Sequence, residues 1–284
     1  MKFYFISFFV VLALIYLGFG IFLYFFQERI IFPGAFYPTK KYEKPVWLEE
    51  ISVRSADNKI LIAWQSAEFD PQKPTVFFFH GNNENISSRL GFYESLKNLG
   101  LNVVIPSVRG YYGPHYDPSV PTFYQDSETI FQHFSNRTST IFLLGYSLGG
   151  AAAAYISYRS PVAKVVLYST FSSLRDVARE NIVYRLFLPL LRYDMPNVQY
   201  LGNSKANEIL IVHGGRDRVV SSVHYQAFTE YFKNDSRFKF IFFPEADHAN
   251  IVDVSWPTVK EFLGNYTETR EHLGKKSLVG NRKP

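Results

Sequence analysis

The stretch from Thr140 to Tyr158 constrains the fold of this chain more than any other. It begins with an apolar run at Ile141–Leu144, turns at residues 145–149 (GYSLG) and continues into an alanine-rich segment. The apolar run has the length of one buried strand, and alanine is the strongest helix former. Glycines two residues before and after Ser147 remove side chains that would collide in a sharp turn. The pattern therefore predicts a strand, a tight turn and a helix, with an exposed serine hydroxyl at the turn.

The motif G-x-S-x-G is not sufficient evidence for a nucleophile. It arises by chance in roughly one chain in ten of this length. A serine nucleophile also needs a histidine base, an acid that orients the histidine, and donors for the oxyanion. The rest of the sequence must supply these groups in a consistent order.

Apolar runs recur along the whole chain and alternate with helical patterns. The predicted strands lie at 46–54, 60–66, 75–79, 103–106, 141–144, 165–168, 209–212 and 238–242, and the predicted helices at 86–99, 123–134, 223–232 and 256–263. This alternation favours an α/β fold with a mostly parallel sheet flanked by helices. The alternation stops at 171–200, an apolar and basic segment with Pro189 and Pro196. We expect this segment to form a small helical cap over the site.

The N-terminus predicts one transmembrane helix. Phe3 to Phe26 is a run of 24 residues without a charge. As a helix it is about 36 Å long, enough to cross a hydrocarbon core of about 30 Å. A cleaved signal peptide is the alternative, but its apolar region is typically about 7 to 15 residues and ends in small residues. The basic residues that flank the run only slightly favour a cytoplasmic catalytic domain, so the sequence predicts a single-pass membrane protein and leaves its sidedness open.

The chain divides into an anchor at 1–28, a linker at 29–45, a catalytic domain at 46–269 and a basic tail at 270–284 that we expect to be disordered. Zero cysteines exclude a cysteine nucleophile and thiolate metal ligands. Neither a metal motif nor a nucleotide-binding glycine motif is present, so no metal or cofactor is predicted. The net charge of +5 comes without a basic stripe. We therefore expect a membrane partner and no nucleic acid.

Three histidines lie between Ser147 and the basic tail at 270–284. His213 ends a predicted strand and His224 lies in a predicted helix, whereas His248 lies on the loop after the last strand. Catalytic groups in open α/β sheets lie at such carboxyl ends of strands. Asp217 follows the strand at 209–212 and has no close rival as the acid. A loop histidine or a turn aspartate alone is ordinarily structural, but the order serine, acid, histidine favours catalysis.

The oxyanion donors are expected to be backbone N–H groups. One belongs to Leu148, directly after the serine, and the second to the loop after the strand at 75–79, where we assign Asn82. Gly81 permits close approach of this loop, and His80 is expected to brace it without taking part in the chemistry.

Five motifs together resemble the α/β-hydrolase superfamily, and within it the membrane-anchored bud-emergence type. They are HGNNEN at 80–85, VRGY at 108–111, GYSLGGA at 145–151, HGGRDRVV at 213–220 and ADH at 246–248. The resemblance covers about residues 45–265. It implies an α/β-hydrolase fold with Ser147, Asp217 and His248 as the catalytic triad and Asn82 and Leu148 as oxyanion donors. The run SVRGYYG at 107–113 departs from the D-Y-R-G-Y-G that the family more often has, and HGNNEN replaces a more glycine-rich run. Both departures lie at the pocket rim.

These features predict a membrane-anchored serine hydrolase that cleaves an ester or thioester through an acyl-enzyme. The anchor and the apolar cap suggest lipid-like small molecules or acylated proteins as substrates. A serine peptidase or amidase is an alternative, and so is a catalytically silent interaction protein with the hydrolase fold.

Overall fold

A single sheet organises the protein. In the computed structural model, which describes residues 2–37 and 39–264, eight strands pair in the order β1-β2-β4-β3-β5-β6-β7-β8. The strands are β1 (Leu48–Arg54), β2 (Ile60–Ser66), β3 (Thr75–Phe79), β4 (Asn102–Pro106), β5 (Ile141–Tyr146), β6 (Val162–Tyr168), β7 (Ala206–Gly214) and β8 (Phe238–Phe243). β2 runs antiparallel to β1 and β4, and all other neighbours are parallel. All eight predicted strands are present.

Helices cover both faces of the sheet. They are α1 (Lys2–Ile31), α2 (Pro33–Phe36), α3 (Leu90–Asn98), α4 (Val120–Ser135), α5 (Gly149–Arg159), α6 (Leu174–Glu180), α7 (Ile182–Arg185), α8 (Asn197–Gly202), α9 (Ser222–Phe232), α10 (Ile251–Val254) and α11 (residues 256–264). Successive side chains of a strand point to opposite faces of the sheet and belong to two different hydrophobic cores. Phe77 and Leu143 lie in the core with α4, α5 and α9, whereas Phe78 and Leu144 lie in the core with α3 and α11. This is the period of two that strand geometry imposes. The predicted α/β architecture is confirmed.

The alanine-rich segment explains how closely α5 lies on the sheet. Ala151 to Ala154 are all fully buried, so larger side chains would have no space on this helix. Its N-terminus is thereby held directly behind the carboxyl end of β5, where Ser147 lies.

The predicted helix at 86–99 begins later, at Leu90. Asn85 uses its side-chain oxygen to accept a hydrogen bond from the backbone N–H of Ser87 at 2.8 Å. Asparagine commonly forms such local turns, which compete with helical hydrogen bonds. The helix therefore starts only after this turn.

The N-terminal helix α1 is longer than the predicted anchor at 1–28, because it continues to Ile31. From residue 4 to residue 31 it is long and apolar enough to cross a membrane. Phe32 is then fully buried and packs against Phe123, with ring centroids 5.6 Å apart. The short helix α2 follows, with Gly34 and Ala35 buried. The first residues after the anchor therefore pack on the domain instead of extending away from it.

The segment at 171–200 forms a cap of short helices. α6 and α7 are followed by a 3₁₀ turn at Leu188–Leu190 that contains Pro189, and α8 starts directly after Pro196. No α-helix runs through either proline, as the sequence predicts: Pro189 lies in the first turn of the 3₁₀ segment and Pro196 is the N-cap of α8, positions where the missing N–H of proline costs no helical hydrogen bond. The predicted disordered tail at 270–284 lies outside the described residues.

Candidate active site

Ser147 occupies a strained turn between β5 and α5. Its φ is +52°, in the left-handed region that non-glycine residues rarely adopt. Its N–H donates to the carbonyl of Tyr168 at 2.9 Å, and its carbonyl accepts from Gly150 N–H at 3.0 Å. A Cβ added at Gly149 would lie 2.0 Å from the carbonyl oxygen of Phe79. Hydrogen bonds of the Ser147 N–H and carbonyl groups therefore fix the turn, and the turn requires glycine at position 149.

Asp217 and His248 are joined by a short hydrogen bond. The His248 Nδ1 lies 2.7 Å from Asp217 Oδ2. The other carboxylate oxygen accepts the backbone N–H groups of Val219 at 2.9 Å and Val220 at 2.8 Å. An ionised carboxylate only accepts hydrogen bonds, so the proton lies on Nδ1 and Nε2 of the neutral ring is the basic nitrogen. The structure thus brings together two predicted site residues that are separated by 31 positions.

The environment of Asp217 favours its charged form. Its side chain is fully buried, and burial by itself raises the pKa of a carboxyl group. The hydrogen bonds from His248 and from the backbone of Val220 oppose this effect, and the pKa of Asp217 is lowered from its ordinary value. Asp217 is therefore a carboxylate at neutral pH and can stabilise a positive charge on the imidazole.

The loop that carries His248 is held by Tyr146, a residue that the sequence analysis did not single out. The Tyr146 hydroxyl donates to the His248 carbonyl at 2.8 Å, and the two rings lie 5.1 Å apart. The guanidinium of Arg89 lies 4.1 Å from the centre of the Tyr146 ring, and Arg89 is paired with Glu84 at 2.6 Å. Tyr146 precedes the serine directly, so the serine turn and the histidine loop are mechanically connected. No local pattern reveals this contact, because the two residues are 102 positions apart.

Asn82 and Leu148 lie beside Ser147, and all three line one cavity of about 220 Å³. In the described part of the chain, no hydrogen bond is formed by the backbone N–H of Asn82 or of Leu148. Leu148 stands at the N-terminus of α5, where unpaired N–H groups point away from the helix. A Cβ at Gly81 would lie 2.9 Å from the Tyr146 ring and 3.6 Å from the Ser147 Cβ, so glycine allows the loop to approach the serine.

His80 connects this loop to the next one. Its Nδ1 lies 2.9 Å from the Gly81 carbonyl oxygen, and its Nε2 accepts the Val108 N–H at 3.2 Å. These partners require a proton on Nδ1 and none on Nε2, so the ring is neutral, in agreement with a pKa that burial lowers. Both ring nitrogens have hydrogen-bond partners, so His80 holds the loop in place, as expected from the sequence.

His213 and His224 are both buried, and His213 also lies near the acid, with its Nε2 4.0 Å from Asp217 Oδ2. His213 Nε2 lies 3.1 Å from the Val220 carbonyl oxygen, and burial lowers the pKa of His213. His224 lies 2.9 Å from Glu180 at the end of α6 and accepts the N–H of Ser172 at 3.2 Å. His224 therefore links α9 to the base of the cap.

Most of the cavity wall is apolar and comes from the cap and from α1. The cap contributes residues such as Phe171, Leu174 and Leu191, and α1 contributes Leu23 and Ile31. From the sequence alone, α1 is predicted only as a membrane helix, since an apolar helix gives no signal of which side chains face protein. No group of three potential metal ligands occurs among residues 2–37 and 39–264.

The chain is similar to known hydrolases in sequence and structure. The sequence model of the family described as serine aminopeptidase, S33, matches residues 70–210. That range contains Asn82 and Ser147 and ends before Asp217. Among solved structures, the esterase Pf2001 of Pyrococcus furiosus superposes with a TM-score of 0.66 at 17% identity, over 82% of this chain and 98% of that one.

Three relatives are similar in sequence. The alpha/beta hydrolase domain-containing protein WAV2 of Arabidopsis thaliana is 28% identical over 85% of this chain and 88% of its own. The protein bem46 of Schizosaccharomyces pombe is 30% identical over 58% of this chain and 59% of its own. An uncharacterized membrane protein of Saccharomyces cerevisiae is 25% identical over 85% of this chain and 90% of its own.

Proposed function

This chain belongs to the α/β-hydrolase superfamily, and on that basis we propose that it is a membrane-anchored serine hydrolase that cleaves carboxylic ester or thioester bonds. One observation carries the proposal: the 2.7 Å hydrogen bond between the buried Asp217 carboxylate and His248. It fixes the histidine tautomer that a serine nucleophile requires. The positive φ of Ser147 and the free N–H groups beside it provide further support.

In the proposed mechanism, Ser147 Oγ attacks the substrate carbonyl carbon while His248 Nε2 takes the hydroxyl proton. The carbonyl oxygen becomes an oxyanion that accepts hydrogen bonds from the N–H groups of Asn82 and Leu148. When the tetrahedral intermediate collapses, the bond to the leaving group breaks and His248 gives its proton to that group. Water then attacks the acyl-enzyme by the same route, and carboxylate and free Ser147 are released.

Each oxyanion donor is expected to stabilise the transition state by about 2.7–4 kcal/mol, because backbone dipoles are fixed before the charge develops. The N–H of Leu148 also benefits from the N-terminal end of α5, whose partial positive charge favours an anion. The oxyanion donors therefore need no charged side chain in this cavity.

The cavity favours an acyl group over a polar one. Its cap and α1 walls are built mainly from leucine, isoleucine, valine and phenylalanine side chains, and burying apolar area contributes about 25 cal/mol per Å². The apolar helix α1 and the membrane-protein relative support anchoring in a bilayer. We therefore propose lipids, lysophospholipids or acylated proteins as substrates.

The experiment compares full-length protein with the Ser147→Ala and Ser95→Ala variants. Ser95 is a half-buried serine on α3, a helix that does not line the cavity, and serves as the control. We expect wild type and Ser95→Ala to hydrolyse 4-methylumbelliferyl acetate and to react with a fluorophosphonate probe, and Ser147→Ala to do neither. Ester turnover that survives in Ser147→Ala would refute the mechanism. If the wild-type protein neither hydrolyses the ester nor reacts with the probe, the result would favour the alternative function, a catalytically silent interaction protein.

A peptidase or amidase is the second candidate, favoured by the description of the family whose model matches residues 70–210 as a serine aminopeptidase. The same triad hydrolyses amides when the leaving amine is protonated. Aminoacyl 4-methylcoumarin amides, compared with the esters of the same fluorophore class, separate the two activities. A higher kcat/KM for the amides would establish the peptidase function.

A further inference from the structure

The helix α1 is a fixed part of the wall around Ser147. Gln27 is 8% exposed and lines the cavity. Its side-chain oxygen accepts the N–H of Arg192 in the cap at 2.9 Å. The neighbouring Glu28 forms an ion pair with the Arg192 guanidinium at 3.3 Å. These contacts join the end of α1 to the cap, so the helix that anchors the protein also closes its substrate cavity.

A second apolar cavity of about 320 Å³ lies further along α1, between residues 16–25 of the helix and residues 186–190 of the cap. The cap is held against α1 here by the Tyr16 hydroxyl, which donates to the Leu186 carbonyl at 3.1 Å. Phe187 and Leu190 border both cavities. The two spaces therefore follow one another from Ile31 back to Tyr16, along about 22 Å of helix at 1.5 Å per residue.

With α1 as the proposed membrane anchor, the second cavity lies at the depth of the bilayer. The helix residues that line it belong to the charge-free run from Phe3 to Phe26. Next to it the outer side of the cap presents Ile182, Val183 and Leu186, which are 59%, 43% and 57% exposed. Exposed apolar side chains beside an apolar membrane helix are typical of a surface that lies in lipid.

We infer that the acyl chain of a membrane-resident ester reaches Ser147 directly from the bilayer, through the passage between α1 and the cap edge that Phe187 and Leu190 border. This inference rests on the proposed ester hydrolysis and specifies its substrate class. The carbonyl group lies at Ser147 while the chain occupies both cavities, and a short water-soluble ester fills only the first. The α1 helix thereby selects substrates by the length of the acyl chain.

Two glycines of α1 provide a matched test. Gly20 is buried, lines the second cavity and faces the cap: a Cβ there would lie 3.1 Å from the Phe187 ring and 3.2 Å from Leu190 Cδ1. A Cβ at Gly18 would have no atom within 4 Å. Gly20→Leu therefore fills the passage, whereas Gly18→Leu adds the same side chain to the same helix on its open side. Leu190→Trp narrows the passage from the cap and leaves the sequence of α1 unchanged.

The assay uses full-length protein in dioleoylphosphatidylcholine vesicles, with 4-methylumbelliferyl oleate and acetate as substrates. We expect Gly20→Leu and Leu190→Trp to lower the ratio of kcat/KM for oleate to that for acetate by at least about tenfold, because the long chain loses its apolar contacts. Gly18→Leu is expected to keep the wild-type ratio, and fluorophosphonate labelling of Ser147 reports whether each variant is folded.

The outcomes separate this inference from the proposed function. If wild type hydrolyses acetate while both passage variants keep the wild-type ratio, the passage is refuted and the hydrolase function stands. An equal loss for both esters would also refute the passage, since it indicates a general disturbance of the site. If wild type hydrolyses neither ester and Ser147 is not labelled, the proposed function itself is wrong.

Discussion

The replacement Asp217→Asn tests the role of the buried carboxylate most directly. In the wild type one oxygen of Asp217 accepts two backbone N–H groups and the other binds His248 Nδ1 at 2.7 Å. The single amide oxygen of asparagine can keep the two backbone bonds, which places its NH₂ group against Nδ1. A donor at that position requires the histidine proton on Nε2. Nε2 then cannot accept the proton of Ser147.

The expected loss is large. A triad with the wrong histidine tautomer loses about 10⁴-fold in kcat, which corresponds to about 5.5 kcal/mol of transition-state stabilisation. The assay is turnover of 4-methylumbelliferyl acetate, with Asp253→Asn as the control at an exposed aspartate of α10. A kcat for Asp217→Asn within tenfold of the wild type, with an unchanged melting temperature, would refute the reasoning.

The same substitution changes the pH dependence of stability. Because the folded pKa of Asp217 is lowered below its ordinary value near 3.8, its carboxylate stabilises the fold at pH values above 3.8. This contribution is lost as the pH falls through the folded pKa. Asp217→Asn should therefore unfold more easily than wild type at pH 7, and the difference should shrink below pH 3.8. Urea unfolding at several pH values measures it, and a constant difference would contradict the assignment.

Three other substitutions test the surroundings of the site. Gly149→Ala places a Cβ 2.0 Å from a backbone carbonyl oxygen of β3, so we expect it to destabilise the fold by about 2–3 kcal/mol in urea unfolding. Arg109→Met leaves the buried Asp126, now bonded at 2.5 and 2.7 Å, without its counter-charge, and should cost about 3–5 kcal/mol by the same measurement. Tyr146→Phe removes the bond to the His248 carbonyl, which should lower the free energy of unfolding by about 1 kcal/mol and reduce kcat by a larger factor than it changes KM. Wild-type stability in the first two variants, or unchanged kcat in the third, would contradict these assignments.

Local sequence patterns were sufficient to predict the strands and the turn at Ser147. The run TVFFF at 75–79 predicts β3 because a short, continuous apolar run is typical of a strand buried on both faces. Glycines on both sides of Ser147 predict the sharp turn because the steric conflict arises between near neighbours in sequence. The helix predicted at 86–99 begins four residues later, at Leu90, because the Asn85 side chain forms a turn that propensity does not represent.

The order of motifs was sufficient for a hypothesis about the site. The positions of Asp217 and His248 after their strands predict that both lie at one edge of the sheet, and the structure places them 2.7 Å apart. Their catalytic roles stay predictions, which the substitutions above test. Tyr146 as the support of the His248 loop was not predictable, because a side chain that bonds a distant backbone carbonyl leaves no periodic or local signal.

The sequence by itself thus determined the strands, the turn at Ser147 and the presence of an apolar N-terminal helix, since each depends on residues that are close together along the chain. Only the tertiary structure decided which face of α1 meets the cap. An apolar side chain such as Leu23 is equally suited to lipid and to protein, and its environment depends on residues such as Phe187 that are far away in sequence. The turn at Ser147 was therefore predictable from a few neighbouring residues, while the walls of the cavity beside it were not.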